Sequence, residues 1–380
     1  MFWYWFFAGP AILLALASLR GERKRAAYIR RRLSETPDSQ PFATVIVPVK
    51  GQDVGLRENL AALATQEYPS YELIVVARTA ADIPPGVLPP QVRVVLAHGD
   101  DPATGEKVQN LRAAVSAAGK MTDVYVFADS DGRVTKRWLR SLLAPLAEEG
   151  VGASTGYRWY APARPAFAPL LRGVWDAVAL GRLGPGDCGF AWGGAMAIRR
   201  QVFQHLDIAG RWKKTISDDY ALSAAVRAAG LTIAFAPGAM VPSLETLGLC
   251  AMFEWMRRQM TITRFYNRRM WWPALIAHFF YCGGMAVSVG AAARGHRLAL
   301  LALAAQLVPG MWKGWNRASG ASAALPEYRR WFRRFHWVHA ALVPVATWLW
   351  MTVLLASAFG DTIVWRGYRY NLARSLYSHV

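Results

Sequence analysis

The sequence predicts an α/β domain with a largely parallel sheet, held to a membrane by one N-terminal and about three C-terminal helices. Three observations predict this. Short apolar runs alternate with helical patterns through the middle of the chain. Both ends are apolar over lengths that suit a bilayer. Basic clusters flank those ends.

Composition agrees. The 380 residues are 54% hydrophobic, with only 18% charged, against about 25% charged in an average soluble domain. Most of the 17 tryptophans sit near the two ends, as amphipathic rings at a bilayer interface would. The net charge is +19, but much of it borders apolar runs, where it suits anionic headgroups rather than nucleic acid. No nucleic-acid partner and no obligate protein partner are expected. Cys188, Cys250 and Cys282 lie far apart, which excludes a disulfide framework and a zinc site.

Residues 1–19 (MFWYWFFAGPAILLALASL) are uncharged and read as a transmembrane anchor. The basic residues follow the apolar run, from Arg20 to Arg32, whereas a signal peptide carries them before it. They place the C-terminal side of the anchor in the cytoplasm and make 20–40 a basic juxtamembrane linker. Residues 41–245 form the expected soluble domain. FATVIVPV (42–49), YELIVVA (71–77), QVRVVLA (91–97) and DVYVFADSD (123–131) read as strands; Leu56–Thr65, Lys107–Ala118 and Lys136–Glu149 read as helices. Ligands of such sheets bind beyond the carboxyl ends of the strands. An amphipathic interfacial segment at 246–269 leads to membrane helices within 270–358, with spans at 270–293, 298–312 and 336–358. The link 313–335 reads as a basic cytoplasmic loop. Three such spans put the basic tail 359–380 outside, although Arg366, Arg369 and Arg374 prefer the cytoplasm. The expected location is the cell (inner) membrane, multi-pass, with the catalytic domain cytoplasmic.

Three segments carry chemistry. FADSDGRV (127–134) ends an apolar strand with Asp129 and Asp131. In an extended chain residues i and i+2 point the same way, so the two carboxylates offer an oxygen-rich place for Mg2+ or Mn2+. The same letters also suit an ordinary polar turn. In SDDYAL (217–222), Asp218 and Asp219 precede a helical run; either caps it, and a cap can also serve as a general base. FEWMRRQMTITRFYNRRMWW (253–272) is a basic amphipathic stretch, suited to an interface and able to offer an arginine to a diphosphate.

The order of these segments resembles the ceramide glucosyltransferases and their bacterial relatives, including hopanoid-associated glycosyltransferases, within the inverting GT-A class. VPVKG (47–51), EKVQNL (106–111), DSDGRV, GGAMAIRR (193–200), SDDYAL and WRGYRY (365–370) match the family's features in sequence over nearly the whole chain. The resemblance implies a GT-A, Rossmann-like domain that moves a sugar from a UDP-sugar to a membrane lipid, with inversion. It implies Asp219 as the base and Asp129 and Asp131 as ligands of Mn2+ or Mg2+. It also implies Lys50, Asp82, Lys107, Asn110, Asp129 and Arg258 on the donor, and Trp192, Gly194 and Asp218 on the acceptor side. The chain departs from the family twice. RQMTI (258–262) has Thr261 and Ile262 where the family carries Arg-Trp, and VARTAADIP (76–84) keeps Asp82 but has Thr79 at the other carboxylate's place. A processive polysaccharide synthase and a non-catalytic membrane scaffold are the alternatives.

Overall fold

The computed structural model describes residues 2–35, 40–98, 101–374 and 376–379. In chain order the helices are α1 (Phe2–Ala17), α2 (Glu22–Ser34), α3 (Leu56–Ala64), α4 (Glu106–Ala117), α5 (Trp138–Leu143), α6 (Phe167–Asp176), α7 (Arg200–His205), α8 (Ile208–Arg211), α9 (Asp218–Ala228), α10 (Leu249–Tyr266), α11 (Arg268–Ala293), α12 (Leu298–Ala324), α13 (Arg329–Phe335), α14 (Val338–Ala341) and α15 (Val343–Ala358). The strands are β1 (Ala43–Pro48), β2 (Tyr71–Ala77), β3 (Arg93–Leu96), β4 (Val124–Ala128), β5 (Val151–Thr155), β6 (Arg158–Tyr160), β7 (Ala195–Arg199), β8 (Thr232–Phe235), β9 (Val241–Ser243), β10 (Thr362–Trp365), β11 (Tyr368–Asn371) and β12 (Leu376–His379). They pack as two compact units, one of residues 28–163, 182–245 and 361–380, the other of 1–27, 164–181 and 246–360.

The first unit is α/β. Its main sheet has seven strands in the order β3-β2-β1-β4-β7-β5-β8. All run parallel except β7, which is antiparallel to both neighbours. Alternation along β1 shows why the sheet is covered on both faces. Val45 and Val47 point to one side, where Leu56, Leu60 and Leu63 of α3 and Trp138, Leu139 and Leu142 of α5 close a core. Ile46 points to the other, against Val108 and Leu111 of α4 and Leu222 and Val226 of α9. Each fully buried large apolar side chain contributes about 1.5–3 kcal/mol. A small parallel pair, β6 with β9, stands apart from the main sheet. Gly156, which leads into it, admits no larger residue, because a Cβ there would lie 2.0 Å from the Ala239 carbonyl oxygen.

The second unit is helical. Gly283 and Gly284 on α11 let α1 approach: a Cβ on Gly284 would lie 2.8 Å from Ala11 Cβ and 3.2 Å from the Phe7 carbonyl oxygen. Gln306 of α12 donates to Ser288 Oγ of α11 at 3.1 Å. Trp350 of α15 stacks on Trp175 of α6 at 4.3 Å between centroids and donates its Nε1–H to the Trp175 carbonyl at 3.1 Å. Among the described residues, two helical stretches, Phe2–Ser34 and Arg268–Ala293, are long and apolar enough to cross a membrane. α15 is apolar but has only 16 residues, fewer than the roughly 20 a span needs.

Several expectations change. The linker 20–40 is largely helical, as α2, with 36–39 outside the described residues. The helix expected over 136–149 stops at Leu143 and tightens into a 3-10 turn at Ala144–Ala147, where Pro145 removes a donor. The span at 298–312 continues through the first part of the expected loop as one helix of 27 residues, ending at Ala324, and α13 forms in the rest; Pro309 costs a single hydrogen bond and does not stop the long helix. The stretch 164–181 leaves the expected domain to join the helical unit, and the tail from Asp361 returns to the α/β unit.

Candidate active site

One edge of the main sheet collects the chemistry. Ala128, the last residue of β4, pairs with Ala195, the first of β7, and Thr155, the last of β5, pairs with Met196. The carboxyl ends of β4 and β5 therefore meet the start of β7. Asp129–Asp131 leave β4 there, Trp192–Gly194 enter β7, and Arg158 follows β5.

Asp129 and Asp131 flank a turn that follows β4, rather than an extended segment, and a single cation bridges their carboxylates. Arg158 donates from Nη2 to Asp129 Oδ2 at 3.0 Å and to Asp131 Oδ1 at 2.7 Å, and from Nη1 to Asp131 Oδ2 at 2.9 Å. Ser130, between them, points away and donates to Asp53 Oδ2 at 2.6 Å. Asp129 Oδ1 accepts from Lys107 Nζ at 3.0 Å. Burial alone would raise the Asp129 carboxyl, but Lys107 and Arg158 overcome it and hold Asp129 below the usual carboxylate range.

Lys107 joins this pair to the start of α9, with Nζ 3.3 Å from Asp218 Oδ2. Burial would lower the ammonium's pKa; Asp129, Asp218 and Asp219 raise it instead and keep the charge on. Asp218, expected on the acceptor side, is buried inside at 4% exposure. Burial pushes its pKa up to about 6, with Lys107 opposing and Asp219 and Asp129 adding to the rise. Asp219 is different. It is half-buried and tethered at both oxygens: Oδ1 accepts from Tyr220 N at 2.8 Å and from the Ser217 hydroxyl, and Oδ2 from Gly193 N at 3.3 Å. Ser217 caps α9, so the helix N-terminus orients the carboxylate beside it.

The glycines before β7 exist for close approach. A Cβ on Gly193 would stand 2.7 Å from Asp218 Oδ2, and one on Gly194 would stand 2.6 Å from Asp129 Oδ2 and 2.1 Å from the Trp192 ring. Trp192 lies 5.1 Å from the Arg158 guanidinium.

The remaining predicted residues divide. Lys50 pairs with Glu106, and its ammonium lies 3.9 Å from the centroid of Tyr368. The Asp82 carboxylate accepts from Thr79 N and Oγ1, both at 2.9 Å, closing its own turn; its carbonyl accepts from Gly51 N at 2.8 Å. Asn110 is buried one turn along α4 from Lys107, and its Oδ1 has no hydrogen-bond partner among the described residues. Arg258 sits on α10, in the helical unit. A cavity of about 680 Å3 opens at the opposite edge of the sheet, lined by residues such as Asp123, Arg199 and Gln204, away from these carboxylates.

The sequence model of glycosyl transferase family 21 matches residues 5–376. The chain belongs to this family. It is therefore a glycosyltransferase of the ceramide glucosyltransferase family. No curated protein sequence matches the chain significantly. Among solved structures, a mannosyltransferase from Pyrobaculum calidifontis in complex with GDP-Man and Mn2+ is similar over 93% of this chain and 97% of its own, at 17% identity and a TM-score of 0.46. Glucosyl-3-phosphoglycerate synthase from Mycobacterium tuberculosis, in complex with Mn2+, UDP and glucosyl-3-phosphoglycerate, is similar over 60% of this chain and 78% of its own, at 18% identity and a TM-score of 0.38.

Two arginines of this glycosyltransferase are not among the site residues expected from the sequence. Arg158 belongs to no acidic motif; its signal is a lone charge among the aromatics of TGYRWYAP (155–162), which must be paired if buried. Arg366 lies in the WRGYRY segment, at the two-residue turn of the β10–β11 hairpin. It adopts a positive φ of 50°, unusual outside glycine, and Gly367 follows at 83°. Its side chain donates to Asp53 Oδ1 at 2.5 Å and to the Lys50 carbonyl at 3.3 Å. Lys50, Lys107, Arg158 and Arg366 thus share the edge with Asp53, Glu106, Asp129, Asp131, Asp218 and Asp219. Six carboxylates with four cations leave room for further positive charge. The Asp129–Asp131 pair converges on one cation, and such a pair of carboxylates is the kind of oxygen donor set a divalent ion takes.

Proposed function

We propose that this glycosyltransferase moves one sugar from a UDP-sugar to the hydroxyl of a ceramide-like or hopanoid-like membrane lipid, with inversion. The observation that carries the reading is the placement of Asp219. It is an accessible carboxylate tethered at a helix N-terminus and fixed to the loop that also borders Lys107 and Asp129. Its acceptor geometry suits a general base. The acceptor hydroxyl loses its proton to Asp219 as its oxygen bonds to the anomeric carbon. The bond from that carbon to the diphosphate oxygen breaks, and UDP leaves with the electron pair. Lys107 and Arg158, with Lys50 and Arg366 near them, receive the charge that develops on the leaving group. When bound, Mn2+ or Mg2+ would be held by Asp129 and Asp131 and would stabilise the departing diphosphate.

A lipid acceptor fits the remainder of the chain, which carries helices apolar enough to lie in a bilayer. Glu245 and Asp361 both belong to the α/β unit, so an even number of crossings between them is required. We assign the two crossings to α11 and to α12, which returns beside it although it is less apolar than α11, and α15, about 24 Å long at 1.5 Å per residue, re-enters or lies at the interface. This keeps the arginines of the tail on the same side as the basic stretch 20–32, the cytoplasmic side. Arg258, on the basic α10, lies where an interfacial helix meets headgroups.

The test is to incubate the purified full-length protein in detergent with a panel of UDP-sugars, Mn2+ and a mixed lipid extract, and to read products by mass spectrometry. A lipid heavier by one sugar is the expected product. A ladder of sugar polymer would replace the reading with a polysaccharide synthase. No product and no UDP binding would make the chain a non-catalytic membrane protein.

A further inference from the structure

The cation that holds Asp129 and Asp131 is part of the chain. Every oxygen of the two carboxylates accepts from Lys107 or Arg158, three of the four from Arg158 alone. The Arg158 side chain is 11% exposed and its guanidinium lies 5.8 Å from the Tyr160 ring and 5.1 Å from that of Trp192. It extends from β6, whose partner β9 pairs Val241 with Arg158 itself. The backbone that carries the guanidinium is therefore anchored while the side chain reaches across to the loop after β4.

A guanidinium cannot shed its charge at any pH the protein meets. A divalent ion that takes oxygens from Asp129 and Asp131 must therefore leave Arg158 buried with fewer anions. An uncompensated buried charge is costly. A diphosphate arriving with the metal removes that cost, because its oxygens match the fork of an arginine. Neither the metal nor the nucleotide alone gains as much as the two together.

We propose that Arg158 is the resident counter-ion of the metal place and the positioning residue that couples metal binding to donor binding. It pairs with both carboxylates and passes to the diphosphate when the metal enters. The site then binds metal poorly without nucleotide and binds the two as a pair. This rests on the donor reading above, since the diphosphate is the anion that receives Arg158.

The experiment titrates Mn2+ into full-length protein in detergent, reading free Mn2+ by electron paramagnetic resonance, with and without saturating UDP. Wild type is compared with Arg158→Gln and Arg158→Lys, and melting temperatures check that each variant is folded. In wild type, UDP should tighten Mn2+ at least ~10-fold. Arg158→Gln should bind Mn2+ alone ~10-fold more tightly than wild type, and UDP should then change its affinity by less than ~3-fold. Arg158→Lys keeps a charge but cannot fork across two carboxylates, so it should gain a smaller ~3-fold. Wild-type Mn2+ affinity that ignores UDP while UDP binds would overturn the coupling. So would variants that bind Mn2+ no more tightly than wild type. Failure of wild type to bind UDP under any condition would instead remove the donor reading, and the coupling with it.

Discussion

Asp219→Asn is expected to lower the rate of lipid glycosylation about a thousandfold, within the range general-base removal costs, while UDP affinity stays within about threefold. The substitution keeps the shape of the side chain. An amide oxygen can still accept from Tyr220 N and Ser217 at the start of α9. With the oxygen turned that way the amide nitrogen faces Gly193 N, also a donor, so that one contact is lost. What the amide cannot do is take a proton from the acceptor hydroxyl as the new bond forms. Turnover measured under saturating donor, beside UDP binding by calorimetry, separates the two effects. A variant that keeps more than about a tenth of wild-type turnover would move the base elsewhere. Asp218 is the first place to look, because burial has already pushed its pKa up to about 6.

Lys107→Met is expected to be the most damaging change to stability. The methionine replaces the stem but not the ammonium, which contacts Asp129 at 3.0 Å and Asp218 at 3.3 Å. Asp218 is buried and Asp129 half-buried; Asp129 would keep Arg158 while Asp218 would lose the ammonium beside it. Removing one partner from buried pairs of this kind costs about 3–5 kcal/mol. The apparent melting temperature should fall by several degrees, and UDP binding should weaken. The double variant Lys107→Met with Asp218→Asn should recover part of the loss, because the orphaned charge is then gone. A Lys107→Met protein that melts with wild type would show that neither contact matters to the fold.

The parts of this structure that local periodicity governs were legible in the chain. YELIVVA gives β2 over the same residues, and the apolar runs at 42–49 and 123–131 give β1 and β4 with the carboxylates just past the end of β4. Asp129 and Asp131 do meet one cation, with Ser130 turned away, but through a turn after β4 rather than through the extended geometry that the i, i+2 spacing suggests. What local pattern cannot carry is pairing across long separations. Arg158 meets Asp131 from 27 residues away, and Arg366 meets Asp53 from 313. The same limit explains why 164–181 joined the helical unit: α6 is apolar on a face that α10 and α15 cover through Trp175, Trp255 and Trp350. Proline acts differently at two places: Pro145 ends a helix that reads as continuous to Glu149, while Pro309 lies inside a helix that runs past the expected end at 312. Adjacent Asp218 and Asp219 looked interchangeable as letters. Only the packing of α9 against the loop before β7 buries one and leaves the other accessible.

In the proposed one-step transfer, the acceptor oxygen displaces UDP while Asp219 removes its proton. The most direct test is the anomeric configuration of the glycolipid product, read by proton NMR from the coupling at the anomeric position. An α-linked UDP-sugar should give a β-linked product. An α-linked product would mean two displacements or a different chemistry altogether, and would contradict the role assigned to Asp219.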